Sequence, residues 1–126
     1  RITIERRGRT VPVLALADSG NRLIEPFSGL PVLVINAAEI WGLLNPEERR
    51  IVREMDTEAV ISGGRWGVAG AGEGWGMMPA FRPERMYTTV NGKRVELGGY
   101  FAVVDAEIGN GNYGGVFNPK MIQVLL

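Results

Sequence analysis

Cysteine and histidine are both missing from the 126 residues of this chain, and their absence removes most of the familiar hydrolytic machinery. Zinc centres built on thiolate or imidazole need those side chains, as do Cys/His and Ser/His/Asp nucleophilic arrangements. Disulfides cannot form, so the redox compartment is not legible. An excess of either charge is missing too. Fourteen Lys and Arg balance fourteen Asp and Glu, which argues against a nucleic-acid surface, where a basic excess is the rule. Long apolar runs are also lacking. Leu30-Pro-Val-Leu-Val-Ile35 falls far short of the about 20 residues that a membrane-spanning helix needs. Lysine is scarce: only Lys93 and Lys120 could serve as an amine base, and neither has a Ser-x-x-Lys context. Carboxylate chemistry, with no metal and no cofactor, is the main hydrolytic option left.

What is present reads as one soluble globular domain over residues 1–126. Hydrophobic residues make up 45% and charged residues 22%, a composition that can build a core. The chain begins at Arg1 without an initiator Met and reads as a piece of something longer, with no signal peptide at its visible end.

Alternation in Ile2-Thr-Ile-Glu5 predicts a half-buried strand. A turn at Arg6-Arg-Gly-Arg9 follows, and the chain returns as a more buried strand from Thr10 to Ala17. Leu30 to Ile35 is a third strand. Asn36 is placed to cap a short helix over Ala37 to Leu44. Asn45, Pro46 and Glu48 open another, running to about Met55, with the spacing of a capping box. The ordinary reading of this pair is surface helix. Thr57 to Ile61 reads as a strand, and Met77 to Phe81 as another. Asn91-Gly92 is a hairpin signal between Met86–Val90 and Lys93–Leu97. Tyr100 to Ile108 is a further strand, before the loop Gly109 to Gly115 and the segment Val116-Phe117-Asn118-Pro119. Many short strands with frequent turn signals point to a mostly-β fold with one or two short helices, closed or nearly closed into a barrel.

The strand from Thr10 ends on Asp18-Ser19-Gly20. In the bland reading Asp and Ser cap a turn and Gly takes the left-handed position. The functional reading starts from the same residues. Apolar-apolar-Asp-Ser/Thr-Gly is the loop on which an aspartic peptidase presents its catalytic carboxylate. Two such carboxylates held close cannot both ionise, so they share a proton and divide the roles of acid and base. Neither Asp56-Thr-Glu nor Asp105-Ala-Glu repeats the loop. A single copy predicts that the second aspartate comes from a second chain across a two-fold axis.

The wider motif carries a resemblance. Asp18-Ser19-Gly20-Asn21-Arg22-Leu23, then Glu25-Pro26-Phe27-Ser28-Gly29 and Pro31-Val32, resembles the peptidase domains of the stage II sporulation protein GA family. The segments Gly76 to Glu84 and Tyr113 to Ile122 are similar to that family as well. The resemblance implies a retropepsin-like closed barrel that forms half of a homodimer, with Asp18 as the catalytic residue and Ser19, Gly20 and Asn21 completing its loop. It implies a pro-sigma factor as substrate, whose amino-terminal propeptide is removed, and a trigger protein from the forespore as partner. It also implies an upstream membrane-embedded region that would hold the domain on the cytoplasmic face of the sporulation septum. Two residues depart from the pattern. Ser19 stands where Thr is common, and Asn118-Pro119 follows Val116-Phe117 where retropepsin-like folds show apolar-apolar-Gly.

Glycine is densest between Gly63 and Gly76. Within it Gly70, Ala71, Gly72, Glu73, Gly74 and Trp75 occupy the place of a retropepsin-like flap, a mobile hairpin that closes on bound peptide. Trp66 and Trp75 flank that stretch as flap base, substrate wall or core. The competing reading of the whole chain is a non-catalytic β-barrel that binds a peptide, with Asp18 only capping its turn.

Overall fold

Alternation does build the first strand. β1 (Ile2–Arg6) buries Ile2, Ile4 and Arg6 and half-exposes Thr3 and Glu5. Arg7 and Gly8, both at positive φ, turn the chain into β2 (Arg9–Val13). Two positive φ values in a two-residue loop match the right-handed twist of the strands they join. The computed structural model describes residues 1–20, 24, 28–54, 67–69 and 78–122, with β5 (Gly67–Ala69) described at the backbone alone. The expected strand at Thr57–Ile61 and the flap residues Gly70 to Trp75 lie outside them.

The strand expected from Thr10 to Ala17 is divided at Leu14. Its first part, β2, pairs with β1; its second, β3 (Ala15–Ala17), pairs in parallel with β10 (Gly115–Phe117) in another sheet. The division has a simple cause. The Leu14 carbonyl accepts from Gly114 N–H at 2.8 Å and so leaves the first ladder for the second.

Two sheets result. One has the order β2-β1-β7-β8, with β7 (Arg85–Val90) and β8 (Lys93–Glu96) joined by Asn91-Gly92 at positive φ, as the hairpin signal predicts. The other has the order β3-β10-β4-β9-β6-β5, with β4 (Val32–Asn36), β6 (Met78–Phe81) and β9 (Tyr100–Val104). The fold is mostly β, as expected. No closed barrel forms among the described residues. The ladder breaks where the chain changes sheet at Leu14 and between β6 and β7, and the two sheets share one core instead. The last expected strand stops at Val104; Ile108 makes only an isolated bridge to Tyr113.

β4 is buried on both faces, which explains its unbroken apolar run. Leu33 and Ile35 join Ile2, Ile4, Phe81 and Phe101 in the main core, while Val32 and Val34 pack with Met78, Ala80 and Ala102 on the other face. Each of the larger side chains taken fully out of water, from valine upward, contributes about 1.5–3 kcal/mol.

The helical segment closes one end of the main core. Asn36 caps α1 (Ala37–Ile40) by accepting from Ala38 N–H at 3.0 Å, and a 3-10 turn covers Trp41–Leu43. α2 (Pro46–Glu54) opens on the expected capping box: Glu48 N–H donates to Asn45 Oδ1 at 2.7 Å, and Asn45 N–H donates to Glu48 Oε1 at 2.9 Å. α2 is a surface helix as expected, with Pro46, Glu47, Arg50, Arg53 and Glu54 exposed and Ile51 and Val52 on its buried face, but Glu48 departs from that pattern. Glu48 is wholly buried, because its carboxylate also receives Arg6 at 2.8 and 2.9 Å and Arg7 at 3.0 Å. Burial pushes the Glu48 carboxyl up, but the hydrogen bonds from Arg6, Asn45 N–H and Arg7 outweigh it and hold the group below its ordinary value.

Candidate functional site

Asp18 follows the last residue of β3, an edge strand among the described residues. Its backbone is held: Asp18 N–H donates to Phe117 O at 2.8 Å, adding one rung to the parallel ladder between β3 and β10. Its side chain lies at the surface and accepts from Gly20 N–H through Oδ1 at 2.9 Å. That bond is the Asx turn the bland reading expects. A carboxylate has four lone-pair directions, so one bond to the turn leaves acceptor capacity for water or substrate.

Gly20 corrects the bland reading in one respect. It does not adopt the left-handed region. What glycine provides here is room, since a Cβ at position 20 would stand 3.2 Å from Asp18 Oδ1. Ser19 is exposed, and its carbonyl receives Asn118 Nδ2 at a long 3.4 Å. Asn21 lies outside the described residues.

Asn118 is the residue whose part sequence reasoning missed. Its side-chain oxygen accepts from Lys120 N–H at 2.9 Å and caps the 3-10 turn Pro119–Met121, while its amide reaches back to the Asp18 loop. The departure at Asn118-Pro119 thus supplies a polar brace where glycine would leave none. The signal was Asn followed by Pro, a cap and first-turn pair.

β10 can lie between β3 and β4 only because Gly115 has no side chain. A Cβ there would come within 2.8 Å of Val34 O, a backbone atom that cannot swing aside. Gly115→Ala is expected to lower stability by about 1–3 kcal/mol, read as a fall in the thermal unfolding midpoint. It should also loosen the Phe117 carbonyl that pins Asp18.

The register decides which carboxylates Asp18 can meet. Phe117 pairs with Ala17, Val116 with Val34, and Asn36 with Val104. Asp18 therefore lies toward the Val32 end of the six-stranded sheet, and Asp105 lies beyond the Val104 end. Strands rise about 3.3 Å per residue and stand about 4.8 Å apart, so these two aspartates are well beyond sharing a proton. No group of three or more acidic residues able to hold a metal occurs among the described residues. No helix among them is long and apolar enough to cross a membrane.

The strands beside the glycine-rich segment do pair. β5 and β6 run antiparallel, with Ala69 opposite Met78, so residues 70–77 connect two hydrogen-bonded strands. The flap candidates themselves lie in that connection and outside the described residues. The pairing of Ala80 with Ala102 sets the adjoining ends of β5 and β6 toward Val104, the end of the sheet opposite Asp18.

Comparison with family models matches residues 1–106 to Peptidase U4, described as sporulation factor SpoIIGA. No curated protein and no solved structure matches the chain. The matched span includes the whole Asp18 loop and ends before β10.

Proposed function

Since the chain belongs to the sporulation factor SpoIIGA peptidase family, we propose that it is an aspartic endopeptidase in which Asp18 works with the Asp18 of a second copy. The family makes it a sporulation-factor processing peptidase; the aspartic dyad, the homodimer and a pro-sigma factor as substrate are our reading. The observation that carries it is the presentation of Asp18, an exposed carboxylate on a backbone pinned by Phe117, at the end of an edge strand that a second molecule can approach.

The chemistry follows from one shared proton. The ionised aspartate takes a proton from water while the water oxygen attacks the scissile carbonyl carbon. The neutral aspartate donates its proton to the carbonyl oxygen. Collapse of the tetrahedral species breaks the C–N bond, the amide nitrogen takes up a proton, and a carboxylic acid and an amine leave. Ser19 and Gly20 complete the loop, with Asn21 after them. In this reading the flap candidates remain Gly70 to Trp75, whose part would be to cover the peptide and exclude water. The retropepsin-like arrangement is supported by the insertion of β10 between β3 and β4, which sets the carboxy-terminal strand directly behind the aspartate. A trigger protein from the forespore and a membrane-anchoring region upstream complete the reading.

Mixing tests the dimer. Wild-type chain is combined with an equal amount of an Asp18→Asn chain under conditions that allow exchange. A shared dyad leaves about one quarter of the dimers fully wild type, and activity falls to that share. Activity that stays at one half means that each chain cuts alone, and the dimer reading fails. The competing reading, a peptide-binding module, rests on one observation, the Asx turn from Asp18 to Gly20 N–H.

A further inference from the structure

The β1–β2 hairpin, the 3-10 turn and the start of α2 enclose a cavity of about 290 Å³ whose charged lining is entirely arginine: Arg6, Arg7, Arg9 and Arg49, with Gly42 and Asn45 between them. Two of these arginines are already engaged: the wholly buried Glu48 receives Arg6 and Arg7. Glu84 also lies close, its carboxylate accepting from Arg7 N–H at 2.6 Å, but no acidic side chain lines the cavity itself. Arg9 is exposed, and its contact to Gly42 O is long at 3.5 Å. Arg49 is half-buried, donates from Nε to Trp41 O at 3.1 Å and stacks over the Trp41 ring. These two guanidiniums are the ones not committed to Glu48.

We propose that this cavity is a binding site for a phosphate-bearing ligand. The start of α2 does not supply the attraction. Pro46 has no N–H, and Asn45 and Glu48 cap each other, so the cavity's guanidiniums must. Several planar forks converging on one small space match a multiply charged tetrahedral anion better than a single carboxylate. A cleft lined by one sign of charge also concentrates the opposite ion. The volume, at the low end for ligand sites, suits one phosphate or pyrophosphate group. The proposal stands whether or not Asp18 is catalytic.

Inorganic pyrophosphate titrated into the whole chain, by calorimetry at low salt, tests the site. The variants are Arg9→Gln with Arg49→Gln, and, as a control, Arg85→Gln with Arg94→Gln on the β7–β8 hairpin. Arg6 and Arg7 are left alone because they hold Glu48. Saturable binding that weakens at least about 10-fold in the first pair and stays within about 2-fold in the control supports the site. A parallel arm uses phosphatidylcholine vesicles with and without phosphatidylglycerol. Binding to the anionic vesicles only, lost in the first pair, identifies the source as a lipid headgroup; binding to pyrophosphate identifies a free phosphate. Equal weakening in both pairs, undiminished binding in the first, or no binding in either arm overturns the proposal.

Discussion

Asp18→Asn is expected to lower cleavage of the proposed pro-sigma substrate by about 10³-fold or more while leaving the folded chain unchanged. The substitution is chosen because it separates the two readings of one residue. An asparagine side chain still offers an oxygen to Gly20 N–H, the bond that closes the turn at 2.9 Å, and asparagine is as good a turn former as aspartate. What it cannot do is share or move a proton. If Asp18 only shapes the loop, the variant keeps its activity. If Asp18 is half of a dyad, both acid and base steps fail, and each such step is worth about 10²–10⁴-fold. Stability is the control. Asp18 is exposed and its carboxylate makes the one described bond to the turn, so the unfolding midpoint should move by no more than a few degrees. Appearance of the shortened product, with production levels matched, is the measurement. Cleavage at the wild-type rate removes the aspartate mechanism from this chain.

How far the sequence reached can be judged residue by residue. Local signals held. Asn91-Gly92 predicts a hairpin and makes one; Asn45-Pro46-x-Glu48 predicts a capping box, and both of its hydrogen bonds are present. In each, the deciding interaction lies within three residues of the signal. Failures came where a distant partner decides. Nothing in Val13-Leu14-Ala15 marks a change of sheet, because the group that takes Leu14 O is the N–H of Gly114. The end of β9 at Val104 is likewise set by the length of β4 beside it.

The candidate site divides along the same line. The Asp-Ser-Gly loop is legible because its internal bond spans two residues. Phe117 O and Asn118, which hold the loop from 99 residues away in sequence, are not. Gly20 was legible as a glycine but not for its reason, since room beside a carboxylate and a left-handed turn leave the same letter. Glu48 shows the strongest override. Charge and helix position mark it as surface, and Arg6 and Arg7, more than 40 residues earlier, make its burial tolerable together with Asn45 N–H.

That burial makes Glu48 the most sensitive structural position outside the site. Glu48→Ala removes the carboxylate and leaves Arg6, itself only 8% exposed, without its charge partner. Arg7 loses a contact as well, and Asn45 N–H loses its cap. Losing one member of a buried pair costs about 3–5 kcal/mol, against a total stability of about 5–15 kcal/mol for a domain. The variant should therefore be largely unfolded at moderate urea concentrations where the wild type is folded. The pH dependence identifies the cause. The folded-state pKa of Glu48 is lowered from the ordinary 4.5, so the unfolded chain binds a proton more readily at this position. Its contribution is complete above the ordinary value and is lost as pH falls through the lower folded value. Glu48→Gln keeps an acceptor for Asn45 N–H but carries no charge, so its stability should lose the part of the acid slope that begins near 4.5 and runs downward. Urea unfolding of both variants from neutral pH into that acid range measures the effect. A Glu48→Gln curve parallel to the wild type throughout would mean that this carboxylate is not the charge holding Arg6 in the core.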